Sequence, residues 1–394
     1  MFDKSPTLFP IKDRYAFLSH CGIAPLYSGG LGKMTEVAQA QCLTGALVFG
    51  RYDPILDGLR DAAAQLLKTT PDNLAFVKNT TEGIGLIAAG YPFEPGDQVI
   101  SYVHEYPANH YPWKLQERRG VELVLLPDCD SEGRRHTPCD ESLTRSVRPT
   151  FRPVAWSMGD LEQRVTPRTR IVALSHVQFA SGFAADLKSL ADFCSAREID
   201  LVVDAAQSLG VLPIEPDEWN IAAVVSSGWK WLMGPIGCGL LYTSKNFRAK
   251  LQPVLVGAET MRQGTDYLDH TWNPFDSAKR FEYSTSPIAL AAALEACIRE
   301  APLRYGVEAI RGEIFRLQDV FLNAVDRTRF RPVFAPEEGR SPILSLIVSG
   351  DANALRRLLL KESVITTERG GYLRIAPHFY NTDEEMLRAA GLFA

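Results

Sequence analysis

The sequence of 394 residues lacks the segments by which membrane and secreted proteins are recognised. It contains no run approaching the roughly 20 apolar residues that a membrane-spanning helix needs. Residues 1–10 have neither the basic nor the apolar region of a secretory signal. The 7 cysteines are scattered and form no CxxC pair, so we expect reduced thiols rather than a disulfide framework. The sequence therefore predicts a cytoplasmic protein.

Concentrated positive charge and nucleotide-binding glycine patterns are missing as well. The chain has 42 Lys and Arg residues and 47 Asp and Glu residues, which gives a net charge of -5. The positive charges are spread along the chain. Nucleic-acid binding requires a concentrated basic surface, so we expect none. Gly83, Gly85 and Gly90 do not make GxGxxG and no P-loop is present, which weakens a nucleotide-using alternative. His104 and His110 lack HExxH spacing, so we predict no metal site.

Short apolar runs alternate with helical patterns through the middle of the chain. The runs that predict strands are Leu74–Val77, Gln98–Tyr102, Glu122–Leu126, Ile171–Ser175, Leu201–Val203 and Ala222–Val225. Amphipathic stretches such as Leu187–Arg197 lie between them. Such alternation favours an α/β fold with a mostly parallel sheet covered by helices on both faces. We predict a large domain over residues 31–280.

The pattern changes from about Phe281 onward. The predicted elements here are helices at Ile288–Glu300 and Val307–Val325, strands at Ile343–Val348 and Tyr372–Ile375, and a last helix from Asp383 with an acidic, capped start. We therefore predict a smaller C-terminal α+β domain over residues 281–394. Residues 1–30 are predicted to pack with this smaller domain.

Two charged residues follow buried strands of the predicted sheet. Asp204 comes directly after one strand, where ligands of doubly wound sheets bind, although a carboxylate there can also cap the next helix. Lys230 lies in a turn between Trp229 and Trp231. Apolar surroundings lower the pKa of a lysine, and Schiff-base chemistry needs the neutral amine. The alternative is a lysine whose stem only covers aromatic surface.

A third element is the segment Asn79-Thr80-Thr81-Glu82-Gly83, which follows a strand and opens a helix. Free N–H groups and hydroxyls at a helix start suit a phosphate, although an ordinary threonine cap explains the segment equally well. The three elements together match pyridoxal 5'-phosphate, which needs an anion site, a lysine for its aldehyde and a carboxylate at its ring nitrogen. We therefore predict this cofactor, with Lys230 as the Schiff-base lysine.

The segments Val203–Ser208 and Ser227–Pro235 resemble class V aminotransferases, the fold-type-I pyridoxal enzymes that include cysteine desulfurases, selenocysteine lyases and isopenicillin-N-epimerase-like proteins. The resemblance implies that Asp204 pairs with the ring nitrogen, Gln207 contacts the ring hydroxyl and Tyr106 stacks on the ring. It implies a phosphate site made by Thr80, Thr81, Ser227 and Trp229. It also implies that Thr285 reaches the phosphate of a partner subunit, and hence a homodimer with shared active sites.

Arg374 ends an apolar strand of the predicted smaller domain. A guanidinium there can bind a carboxylate through two parallel hydrogen bonds, or it can form a salt bridge between domains. The run Arg374–Thr382 resembles the arginine of the family that binds the substrate carboxylate. Arg262 and Arg280 are weaker candidates for the side-chain pocket, and neither His20 nor His176 is assigned a role.

The sequence departs from the family at two places. Trp229 stands where many members have histidine, and its indole can donate a hydrogen bond but cannot act as a base. No cysteine lies between Arg340 and Arg374, where desulfurases carry their persulfide-forming residue. We therefore predict an enzyme that forms an external aldimine with a small amino acid, first an aminotransferase. The alternatives are a C–S or β-eliminating lyase, a desulfurase-like or epimerase activity without a persulfide cysteine, or a scaffold without catalysis.

Overall fold

A computed structural model describes residues 1–129, 154–334 and 340–393. Six of the cysteines lie in these ranges, and each of them is a free thiol. Cys139 lies outside the described residues. Within the same ranges, no helix is both long and apolar enough to cross a membrane.

The described residues form thirteen strands and eleven α-helices. The strands are β1 (Ala16–Phe17), β2 (Leu74–Val77), β3 (Gln98–Tyr102), β4 (Glu122–Leu126), β5 (Thr169–Ser175), β6 (Asp200–Asp204), β7 (Ala223–Ser227), β8 (Gly239–Thr243), β9 (Phe330–Pro332), β10 (Leu344–Val348), β11 (Val364–Ile365), β12 (Thr367–Arg369) and β13 (Tyr372–Ile375). The helices are α1 (Ser28–Thr44), α2 (Tyr52–Leu67), α3 (Thr80–Gly90), α4 (Tyr111–Lys114), α5 (Met158–Arg164), α6 (Leu187–Ser195), α7 (Lys245–Lys250), α8 (Ile288–Ile298), α9 (Val307–Ala324), α10 (Ala352–Lys361) and α11 (Asp383–Gly391).

The main sheet has seven strands in the order β2-β8-β7-β6-β5-β3-β4. All neighbouring pairs are parallel except those made by β8, which runs antiparallel to β2 and β7. The predicted α/β fold and its six strands are therefore confirmed to within two residues at their ends. The strand β8 was not predicted from the sequence, because its short apolar run lies close behind the lysine turn and was not separated from it.

Helices cover both faces of this sheet, as the apolar strands require. One face packs on α2, α6 and α8 through residues such as Leu59, Leu190 and Leu294. The other face packs on α3 and α7 through Ile84, Ile87 and Phe247. Since α8 shares a core with the main sheet, the domain boundary at residue 281 stays a prediction.

A second, antiparallel sheet has the order β12-β13-β10-β9 and packs on α9 and α11. The N-terminal segment joins this region, because β1 pairs in parallel with β11 and Lys4 binds Glu313 at 2.6 Å. The last helix begins at the expected place, where Thr382 and Glu385 cap each other reciprocally. This arrangement puts β13 and the start of the chain beside the carboxyl edge of the main sheet.

Candidate active site

A cavity of about 280 Å³ lies at the carboxyl edge of the main sheet. The strands β5, β6 and β7 end there with Ser175, Asp204 and Ser227. The side chains that line it are Asn79, Thr80, Thr81, Tyr106, Ala108, Ser175, Val177, Phe179, Asp204, Ala206, Gln207, Ser227, Trp229 and Lys230. The structure thus brings together eight of the residues expected from the sequence, whereas Thr285 and Arg374 do not line this cavity.

One end of the cavity is formed by the start of α3. Asn79 is the capping residue, because its Oδ1 accepts a hydrogen bond from the Glu82 amide at 2.9 Å. The hydroxyl of Thr80 lies 2.9 Å from that of Ser227, and the Thr80 amide donates to the same oxygen at 3.3 Å. Hydroxyls and backbone N–H groups converge here at the positive end of a helix, which is the donor set that a phosphate requires.

A buried carboxyl lies further along the sheet edge. Asp204 is 5% exposed, and the hydrogen bond that its side chain accepts comes from the Ala206 amide at 2.9 Å. Burial raises the pKa of Asp204, while the charge of Lys230 and the Ala206 hydrogen bond oppose the shift. A buried carboxylate needs a cationic or N–H partner, so this site fits a protonated ring nitrogen.

Lys230 is the amine of the cavity. Its Nζ lies 5.5 Å from the centre of the Tyr106 ring. Burial lowers the pKa of Lys230, and the charge of Asp204 partly opposes this. Among the residues that the structure describes, no carboxylate lies within salt-bridge distance of this amine. The Lys230 side chain is therefore available to a ligand, and its lowered pKa makes the neutral form, which attacks a carbonyl, easier to reach.

Gln207 and Tyr106 form two sides of the same space. Gln207 accepts a hydrogen bond from the Trp231 indole at 3.1 Å and donates one to the Cys21 carbonyl at 2.9 Å. Its amide nitrogen carries a second N–H that can reach a ligand oxygen. The Tyr106 ring is 47% exposed and stands edge-on to Phe179 at 5.4 Å between ring centres. Its face is thus free to stack on a flat ring.

Arg374 lies just outside the cavity and is 2% exposed. Its guanidinium donates to the Phe179 carbonyl and, at 2.9 Å, to the Thr367 hydroxyl, while Nε has no hydrogen-bond partner in the part of the chain that the structure describes. Burial lowers the pKa of Arg374. No carboxylate of the described residues pairs with it, so the alternative of a salt bridge between domains is not observed there. A buried guanidinium without an anion fits the carboxylate of a ligand.

The other candidates from the sequence lie elsewhere. Thr285 is exposed on the surface. Arg262 binds Asp276 at 2.6 Å, and neither it nor Arg280 reaches the cavity. His20 is fully buried, with its ring nitrogens 2.8 Å from the Ala376 carbonyl and the Tyr380 hydroxyl. Burial lowers the pKa of His176 to about 3, so its ring is neutral at physiological pH.

Two residues beside the site were not assigned a role from the sequence. The Sγ of Cys21 lies 3.5 Å from the Thr367 hydroxyl, which also accepts a hydrogen bond from Arg374. Glu105 is buried and accepts hydrogen bonds from Ser175 and Gln178. Burial raises the pKa of Glu105 to about 7. The sequence signal for Glu105 was its place directly before Tyr106. For Cys21 it was an N-terminal segment that borders the active site in the family that the sequence resembles.

Comparison with known proteins agrees with this geometry. A family model described as Aminotransferase class-V matches residues 50–390. A probable cysteine desulfurase of Methanothermobacter thermautotrophicus is 26% identical over 349 residues, which are 84% of this chain and 81% of that protein. The uncharacterized aminotransferase YcbU of Bacillus subtilis is 25% identical over 332 residues, covering 84% of this chain and 80% of that protein.

Solved structures share the fold. The cysteine desulfurase CsdA of Escherichia coli has a TM-score of 0.82 at 19% identity and covers 100% of this chain and 98% of its own. A complex of the cystine C–S lyase C-DES with cysteine persulfide has a TM-score of 0.84 at 19% identity, and the match covers 98% of this chain and 99% of that one. At this level of identity the likeness concerns the architecture alone.

Proposed function

Because the chain belongs to the class V aminotransferase family and is thus a pyridoxal-phosphate-dependent transferase or lyase, we propose that it transaminates a small amino acid. The observation that carries this proposal is the set of side chains that line one cavity. The cavity is lined by a helix start rich in donors, by a buried carboxyl and by a lysine that has no ion pair among the residues described. These are the three groups that the cofactor requires.

The cofactor, when bound, supplies an electron-accepting ring that stabilises negative charge on the α-carbon of the substrate. The proposed hydrogen-bond donors to its phosphate are Thr80, Thr81, Ser227 and the Trp229 side chain. Asp204 keeps the ring nitrogen protonated, because a buried carboxylate favours a positive partner.

The remaining residues orient the cofactor and move the proton. Gln207 offers its second N–H to the ring hydroxyl, and Tyr106 covers one face of the ring. Lys230 holds the cofactor before the substrate arrives. Once released, its amine is the general base that takes the proton from the α-carbon, and burial suits it to this task by lowering its pKa.

Arg374 is the proposed site for the substrate carboxylate. Its two terminal nitrogens are held by neutral oxygens rather than by an anion. A carboxylate that enters from the cavity side would therefore neutralise the charge of this buried guanidinium. The substrate class that follows is an α-amino acid rather than a simple amine.

A lyase is the second candidate, favoured by the relatives named as cysteine desulfurases and by the fold neighbour described as a cystine C–S lyase. The lack of a cysteine between residues 340 and 374 argues against a persulfide on that segment. Elimination of a β-substituent needs no such cysteine, since the same general base at the α-carbon serves both reactions.

We also propose a homodimer. Thr285 is exposed, and its segment is fixed beside the start of α3 because the Tyr283 hydroxyl donates to Glu82 at 3.0 Å. A two-fold axis near this point would bring Thr285 of each chain to the phosphate end of the other site. Light scattering on the cofactor-loaded protein tests this, and a monomer at micromolar concentration would contradict it.

The deciding experiment mixes the cofactor-loaded protein with a panel of amino acids in heavy water and identifies the products by mass spectrometry. A keto acid together with the aminated cofactor supports the transaminase. Pyruvate with ammonia, or alanine, points to the lyase, and deuterium exchange alone points to an epimerase. Lys230→Ala is the control, because products that persist without this amine would contradict its role.

A further inference from the structure

Glu105 is a buried carboxyl between the two ends of the proposed active site. It lies after β3, directly before Tyr106, and is 7% exposed. Its Oε1 accepts hydrogen bonds from the Ser175 amide and from the Gln178 side chain, both at 2.8 Å. Its Oε2 accepts one from the Ser175 hydroxyl. All of these contacts go to the end of β5 and the loop that follows it.

The loop at 176–183 is organised around Gln178. The Gln178 amide donates to the Phe183 carbonyl at 2.8 Å, and the Gly182 amide donates to the Gln178 carbonyl at 2.9 Å. Phe179 comes next in the chain, and its side chain lines the cavity. When Glu105 fixes the Gln178 side chain, it therefore fixes the turn that carries Phe179.

Phe179 is also one of the two residues that hold the guanidinium of Arg374. Its carbonyl oxygen accepts from one terminal nitrogen, and the Thr367 hydroxyl accepts from the other. Arg374 has no carboxylate partner among the described residues to orient it independently. The direction in which the guanidinium points is thus set by the loop on one side and by β12 on the other.

We propose that Glu105 is a positioning residue, which acts through Gln178 and the Phe179 carbonyl to aim Arg374 at the carboxylate of an amino-acid substrate. This inference rests on the proposed function, because it assumes that Arg374 binds that carboxylate. It assigns Glu105 to substrate affinity rather than to cofactor binding or proton transfer.

The test compares four variants of the cofactor-loaded protein by absorbance titration with L-alanine and with ethylamine, which is alanine without its carboxylate. Glu105→Ala removes all three hydrogen bonds that the carboxylate accepts, and Gln178→Ala removes only the one that links it to the loop. Both should weaken L-alanine binding on the order of tenfold and leave ethylamine unchanged, because small misplacements of a binding group are costly. Glu105→Gln should bind L-alanine nearly as the wild type does, since its amide oxygen can accept two bonds and its amide N–H can donate to Ser175.

Asp97→Ala is the matched control. Asp97 is another buried carboxyl, and it is 2% exposed. It accepts hydrogen bonds from the Glu94 amide at 2.8 Å and from the Arg170 side chain at 2.9 Å. None of these three residues lines the cavity. Its removal should lower stability without changing the affinity for either ligand. Equal losses for L-alanine and ethylamine in Glu105→Ala, or normal L-alanine affinity, would overturn the positioning role.

Two further measurements separate this inference from the proposed function. If Arg374→Ala leaves L-alanine binding unchanged, or the wild type binds ethylamine as tightly as L-alanine, the carboxylate role itself is wrong. Hydrogen exchange needs no ligand and addresses Glu105 directly. The amides of Gln178 and Gly182 should exchange faster in Glu105→Ala than in Asp97→Ala, and equal protection would contradict the link through Gln178.

Discussion

The close approach of α3 to the main sheet makes Gly83 a sharp test of the phosphate site. A Cβ added at Gly83 would lie 2.4 Å from Cγ1 of Val225, in the centre of β7. Val225 is fully buried and branched, so its side chain has little freedom to move away. Restoring an ordinary contact of about 3.5 Å therefore requires α3 to shift by about 1 Å.

The magnitude follows from this overlap. Overpacking a tight core costs about 1–3 kcal/mol, and the better helix propensity of alanine returns up to ~1 kcal/mol. The shift displaces Thr80 and Thr81, which begin the same helix. A phosphate donor displaced by about 1 Å loses a hydrogen bond to a charged group, which contributes about 1.5–3 kcal/mol, so Gly83→Ala should weaken pyridoxal phosphate binding by at least about tenfold.

The assay is a titration of the purified apoprotein with pyridoxal phosphate, followed by absorbance. Gly85→Ala is the matched control, because it lies on the same helix and its added Cβ would meet no atom within 4 Å. If Gly83→Ala binds the cofactor as tightly as Gly85→Ala does, then the start of α3 does not hold the phosphate.

Three other perturbations test the site. Lys230→Ala should abolish the borohydride-trappable link to the cofactor, and an undiminished adduct by mass spectrometry would contradict the assignment. Asp204→Ala should reduce kcat more than cofactor occupancy, because the ring then accepts electrons poorly; normal turnover would refute the ring-nitrogen role. Glu105 has a folded pKa of about 7 against an ordinary 4.5, so the folded state binds more protons between these values and stability falls as pH rises through them. In apoprotein melting curves from about pH 5 to about pH 8, Glu105→Gln should gain up to roughly 3 kcal/mol over the wild type, and a constant difference would show that Glu105 is not protonated by burial.

Much of the main sheet could be predicted because its strands carry local signals. A strand buried on both faces is a short apolar run, and the runs that end at Ser175 and near Asp204 were recognised in this way. The start of α3 was recognisable for a similar reason, since its capping residue and hydroxyls are adjacent in sequence. The strand β8 was missed because its short apolar run was not separated from the lysine turn before it, and its antiparallel direction has no local signal.

Some residues of the site could be identified from the sequence, and others only from the tertiary structure. Asp204, Lys230 and the Thr80–Thr81 pair could be proposed from sequence, since strand ends of a mostly parallel sheet meet at one edge. Only the tertiary structure decided that Arg374 is held by a carbonyl from the loop after β5, and that Glu105 fixes that loop. It also decided that Cys21 lies beside the same arginine. The physical reason is that local patterns determine elements and their ends, whereas hydrogen bonds between residues distant in the chain depend on how the packed sheets place them.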